Sequence, residues 1–182
     1  MDPLLDRSSL VKYVKDNLQA IVPEHGLKLS PLAVEYLAHM LGGYVRSEAL
    51  FKKFQYGPLE RSNSLEPLTL RMQKSKGEGG AMRRVMVQTV GDECLFLVSF
   101  FYDYLLARCG SALLKYHEQL GAGAYKQLGQ IPDEGRIFNE LATQFWDISD
   151  VIRELDQSRT KDDPKILKIH RTALVKGSIY SS

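Results

Sequence analysis

The sequence predicts an all-α protein: a single-domain, irregular bundle of about six to seven helices around one central apolar helix, residues 81–109. Three observations carry this reading. Apolar residues recur at three- and four-residue spacing through most of the chain, no segment sustains the alternation of a half-buried strand, and helix start and stop residues bracket the periodic runs. A chain of 182 residues has room for one sizeable core. Its apolar share of 44% and charged share of 25% are those of an ordinary globular protein, so residues 1–182 are read as one helical domain.

The elements follow in order. Leu10, Val11, Val14, Leu18, Ile21 and Val22 keep helical spacing behind Ser8-Ser9, and Pro23 ends the pattern, which predicts a first helix over about residues 9–22. Ser30-Pro31 is a start signal: the serine hydroxyl can accept a free helical N–H, and the fixed φ of proline suits the first turn. Leu32, Tyr36, Leu37, Met40, Leu41, Tyr44 and Val45 then form one apolar face. Gly42-Gly43 weakens that helix by about 1 kcal/mol per glycine relative to alanine, so a bend or a close helix approach is expected there.

Residues 57–80 change to turn vocabulary and read as a loop-rich insertion with a short helix around Leu65, Leu68 and Met72, residues 74–80 (KSKGEGG) being a mobile loop. Helix 81–109 carries the greatest apolar bulk and stops at Gly110, so Leu95, Leu97, Phe101 and Leu105 should be hidden by surrounding helices. Helix 112–128 contains the small-residue run GAGA at 121–124, which suits close contact between two helices with Tyr125 packing over the gap. Asp133 should cap a long helix through Leu155, and Asp163-Pro164 should open a last one that closes before Gly177.

Charge excludes some functions. Lys and Arg number 24 against 22 acidic residues, so a net +2 makes no global field toward nucleic acid or anionic lipid, and any basic site must be local. Two local clusters exist. Residues 71–84 hold Arg71, Lys74, Lys76, Arg83 and Arg84 against Glu78, and the tail holds Lys161, Lys165, Lys168, Arg171 and Lys176 against Asp162 and Asp163. Either could meet phosphate, but neither is interleaved with the aromatic residues of single-strand binders, which points away from nucleic acid. The opening MDPLLDRSSLVKYV lacks the features of a signal peptide, and the longest apolar run, Cys94–Tyr102, is short of the ~20 residues of a membrane span. Cys94 and Cys109, expected on one helix about 22 Å apart, cannot pair, and two thiols suit a reducing cytoplasm.

Few residues suggest chemistry. Asp92, Ser99 and Asp103 fall within one ~40° stripe of the central helix. Asp92 and Asp103 are about 16 Å apart along a helix, too far to share a proton or a metal, so a narrow solvent seam or ion pairing to neighbouring helices is expected rather than a site. Glu35 and His39 stand at i, i+4 and should pair on a helix surface. Neither Glu-x-x-His nor His-Glu-x-x-His occurs, and no metal or cofactor is expected. His117 shares the face of Leu113 and Leu114 and should hydrogen-bond a neighbour in the core. Gly121, Gly123 and Gly129 do not match the dinucleotide pattern, and no strand precedes them.

Gly91-Asp92-x3-Phe96-x4-Phe101 followed by Tyr116-x4-Gly121-x3-Tyr125, with LSPLAVEYLAHML before and FNELATQF and DPKILKIHRTALVKG after, resembles a family of uncharacterised bacterial all-helical proteins of about this length. The likeness spans roughly residues 30–177. In that family a Gly often stands at position 99 and a second Tyr at 117, so a polar site centred on Ser99 and His117 would be peculiar to this chain. The resemblance implies a bacterial cytosolic helical protein and brings no activity or cofactor.

The functional expectation is a non-enzymatic cytoplasmic protein acting through a protein partner or through self-association as a homodimer. Its interface would include Tyr44, Leu50, Phe51, Phe54 and Tyr56, an aromatic-rich run of the kind that anchors interfaces. The alternative is a carrier of a small hydrophobic or aromatic ligand, its pocket between the central helix and helix 112–128 and lined by Phe96, Phe100, Tyr116, His117 and Tyr125. An enzyme using His117 is the third.

Overall fold

The computed structural model describes residues 7–46, 68–77, 79–132 and 135–162, which form eight α-helices and no strand. They are α1 (Arg7–Glu24), α2 (Pro31–Arg46), α3 (Leu68–Ser75), α4 (Gly80–Phe100), α5 (Tyr102–Cys109), α6 (Ser111–Leu128), α7 (Gly135–Thr143) and α8 (Phe145–Asp162). The sequence-derived last helix from Asp163, and Asp133 itself, lie outside the described residues.

The first two helices form a hairpin whose ends follow from their residues. Gly26, at φ 69°, closes α1: its N–H donates to Pro23 O and that of Leu27 to Val22 O, satisfying carbonyls the helix leaves over, while Leu27 turns into the core. Ser30 Oγ accepts the N–H of Ala33 at 3.2 Å and starts α2 as expected. Of the two expectations at Gly42-Gly43, close packing holds: a Cβ at Gly42 would stand 2.8 Å from Val11 Cγ2.

Helix α4 is the centre of the bundle. Its longest contact runs along α6, and α2, α3, α5 and α8 also touch it. Leu95, Leu97, Phe101 and Leu105 are buried, as their apolar surroundings require. The approach of α4 to α6 rests on two missing side chains. A Cβ at Gly91 would lie 2.7 Å from Tyr125 Cε1, and one at Gly121 would lie 2.5 Å from Phe145 Cζ and 2.7 Å from Cys94 Cβ. The GAGA run thus acts through Gly121 while Gly123 faces open space.

Two helices expected to be continuous are broken. The segment 81–109 divides at Phe101, whose φ of −114° and ψ of 19° leave the helical region. Ser99 Oγ donates to Leu95 O at 2.7 Å, a back-bond that competes with the helical ladder and favours bending. Phe96 stacks on Phe100 at 4.7 Å one turn along α4, and beyond the bend Phe101 stands edge-on to Phe96 at 6.0 Å. Cys94 and Cys109 therefore sit on different helices, and Cys94 is a free, buried thiol. The helix expected through Leu155 divides at Gln144, whose side-chain amide accepts from Lys28 N at 2.9 Å and donates to Lys28 O at 3.1 Å, holding the α7–α8 corner against the α1–α2 loop. Glu140 joins this clamp by accepting the Ser30 N–H at 2.8 Å.

The stretch 74–80 is more helical than its composition suggests. Helix α3 continues to Ser75, which is fully buried, and Lys76 N and Gly77 N fold back onto Gln73 O and Lys74 O before α4 begins at Gly80.

Gly121→Ala should destabilise the protein by about 1–3 kcal/mol, because the added methyl collides with Phe145 and Cys94 in a packed layer. Gly123→Ala, in open space, should leave stability unchanged or raise it. Equal urea midpoints for the two variants would contradict this packing.

Candidate functional site

An aspartate in the middle of an apolar helix must find donors, and Asp92 finds two. Tyr36 of α2 donates its hydroxyl to Asp92 Oδ1 at 2.6 Å, and Tyr125 of α6 donates to the same oxygen at 2.7 Å. Gln88, one turn before Asp92 on α4, donates Nε2 to the Tyr36 oxygen at 3.0 Å. Phe138 of α7 closes the cluster, edge-on to Tyr36 at 5.4 Å and stacked with Tyr125 at 5.9 Å. Asp92 is 8% exposed and Tyr125 fully buried.

The electrostatics follow from burial. Loss of water pushes the Asp92 carboxyl up to about 6; the hydroxyls of Tyr36 and Tyr125 counter that rise, and neighbouring Glu93 adds to it. Burial, and then the Asp92 charge, drive Tyr36 and Tyr125 far above the usual phenol range, so both remain donors at any ordinary pH. Only the carboxyl in this cluster therefore titrates near neutrality. Its Oδ1 is already taken by two hydroxyls, an arrangement suited to joining three helices.

Glu93 points elsewhere. Arg71 of α3 grips it with both terminal nitrogens, Nη1 reaching Oε1 at 3.2 Å and Nη2 pairing with Oε2, and Glu93 is 6% exposed. Adjacent carboxylates of α4 thus serve two sides of the bundle: Asp92 holds α2 and α6, and Glu93 holds α3.

The expectation of a solvent seam along Asp92, Ser99 and Asp103 is corrected. Asp92 and Ser99 are buried and hydrogen-bonded inside the chain, and Asp103 is exposed on a separate helix beyond the break at Phe101. The Glu35–His39 pair is present on the α2 surface, 3.1 Å apart, and Lys15 of α1 joins Glu35 there. Lys15, followed by His39, holds the Glu35 carboxyl below its usual range. His117 is buried with Nδ1 2.9 Å from Leu113 O, a contact that assigns the proton to Nδ1, and burial lowers its pKa.

The five residues expected around a ligand separate into three places. Phe96 and Phe100 stack with each other, and Tyr44 covers Phe96 at 5.1 Å. Tyr125 belongs to the Asp92 cluster, between Phe138 and Phe145. Tyr116 is exposed, with the His117 ring edge-on beside it. Of the expected interface run, Tyr44 is half-buried on Phe96, and Leu50, Phe51, Phe54 and Tyr56 lie outside the described residues.

A groove of about 580 Å³ opens elsewhere, at the α6–α7 corner, lined among others by Ile131, Arg136, Asn139 and Thr143. Its amides and hydroxyl are engaged within the chain: Asn139 Nδ2 donates to Gly129 O and Thr143 Oγ1 to Asn139 O. Among the described residues no group of three or more His, Cys, Asp or Glu side chains is placed to hold a metal ion. Tyr36 and Gln88 went unread as polar partners in the sequence. The available signal was an acidic residue inside an apolar run, which demands donors without saying where they are.

Asp92→Ala should cost about 2–4 kcal/mol, since two buried hydroxyls lose their acceptor. The pH dependence has a definite sign. The carboxyl titrates near 3.8 when unfolded and about 6 when folded, so its contribution favours folding most below pH 4 and is lost as pH rises to 6. Asp92→Asn, which keeps an acceptor and cannot ionise, should become more stable relative to the wild type by about 3 kcal/mol between those limits, read as the difference between urea denaturation curves. A pH-independent difference would overturn the assignment.

Comparison with protein-family models, with curated proteins and with solved structures found no match.

Proposed function

We propose that this protein works by binding another macromolecule through its surface rather than by catalysis. The interior supports this reading because its polar groups serve the fold: Asp92 is spent on Tyr36 and Tyr125, Glu93 on Arg71, and His117 Nδ1 on its own helix. One observation carries it. Met82 and Val85 are each 58% exposed on α4 and, with half-buried Met86, make a stripe at i, i+3, i+4 that no described helix covers. Methionine suits such a surface because its flexible, polarizable side chain fits varied partners. A protein partner or a second copy of the chain are forms of the same reading, with the run from Tyr44 to Tyr56 as a further surface for self-association. The proposal places the protein in a bacterial cytoplasm, in keeping with the family resemblance and with Cys94 as a buried free thiol.

Met82→Asp/Val85→Asp changes only exposed positions and should keep the wild-type circular dichroism and denaturation midpoint. The wild type should retain a binding partner in affinity capture from cells, or form a dimer in light scattering, that the double variant loses. Identical capture by both proteins, together with a strict monomer at high concentration, would reject this surface.

A further inference from the structure

Going beyond that reading, we propose that the α3–α4 hairpin docks on an anionic lipid surface, with Met82 and Val85 entering the headgroup boundary and Lys76 and Arg83 meeting lipid phosphate. The charge is local. The whole chain carries +2, whereas residues 71–84 alone carry five basic side chains against Glu78. Arg71 of that set is committed to Glu93, and Lys74 and Arg84 are engaged as well, which leaves Lys76 and Arg83, exposed on either side of Met82 in the sequence.

Shape selects the occupant. Among the described helices α3 packs chiefly on α4, so the pair forms a hairpin at the margin of the bundle, and the Arg71–Glu93 pair fixes one helix on the other. The stripe is a convex helix face of two exposed apolar side chains, Met82 and Val85, with half-buried Met86 beside them. A nucleic acid would use the cations but gain nothing from Met82 and Val85, and no aromatic residue lies between Leu68 and Met86 to stack on a base. A lipid boundary uses both features: it is fluid enough to accept a convex apolar tip, and its phosphates attract Lys and Arg. No described helix is long and apolar enough to cross a membrane, so the contact would be peripheral.

The test is vesicle flotation of the full-length protein. Vesicles of phosphatidylcholine alone are compared with a roughly seven-to-three mixture of phosphatidylcholine and phosphatidylserine. The wild type should bind the anionic vesicles at least about tenfold better than the neutral ones and release in high salt, Lys76→Glu/Arg83→Glu should lose that preference, and Met82→Ser/Val85→Ser should bind about tenfold more weakly at equal charge. Equal binding to both vesicle types, or anionic binding untouched by either double variant, overturns the proposal. Binding to duplex DNA that the charge variant loses and the apolar variant keeps would replace lipid by nucleic acid. A protein captured by the wild type and lost with Met82→Asp/Val85→Asp, without vesicle binding, would overturn the lipid assignment while leaving the association reading in place.

Discussion

The carboxylate of Asp92, buried where α2, α4 and α6 meet, sets the terms for the rest of the structure. Removing a charge from water is costly unless hydrogen bonds replace the lost hydration, and here two phenol hydroxyls converge on one oxygen. Each hydroxyl comes from a different helix, so solvation of the aspartate also orients those helices. Tyr125 can reach Asp92 only by laying its ring over α4 at the preceding residue, and that residue is Gly91. The glycine and the aspartate are therefore one device: the first makes room for the ring whose hydroxyl the second requires. Phe138 then packs on both tyrosines and brings in α7.

Glu93 extends the same logic outward. A helix offers different directions to consecutive residues, so Asp92 turns toward α2 and α6 while Glu93 turns toward α3, where Arg71 neutralises it with a forked guanidinium. A short helix such as α3 has little stability of its own, and this half-buried pair gives it a fixed seat on α4. The core charge and the presentation of the outer hairpin are thus coupled through neighbouring positions of one helix. Elsewhere Gln144 and Glu140 hold the α1–α2 loop by its backbone, and His25 meets Glu154 at 2.7 Å, so that loop is fixed by side chains from α7, α8 and the residue between them.

Helix existence, caps and the identity of the central segment were legible in the residues themselves. Ser30, Gly110 and the periodic faces of α1, α2 and α6 act within a few residues of where they stand, and local rules suffice for them. Gly121 was legible as a close-approach position because a small residue in an apolar stripe has few other uses. The helix breaks at Phe101 and Gln144 were not legible. At both breaks a side chain makes a contact, edge-on from Phe101 to Phe96 in one case and with the backbone of Lys28 in the other, that no local spacing announces.

The sequence by itself determined that the protein is helical, that it has one core and that the segment containing Asp92 lies at its centre, because periodicity and apolar bulk are properties of neighbouring residues. Only the tertiary structure decided what Asp92 does. Its partners lie 56 and 33 residues away along the chain, at Tyr36 and Tyr125, and a hydrogen bond between distant helices leaves no trace in local spacing. The exposure of Met82 and Val85 was settled in the same way: an apolar residue at helical spacing announces that it can be buried, and whether anything covers it depends on where the other helices end.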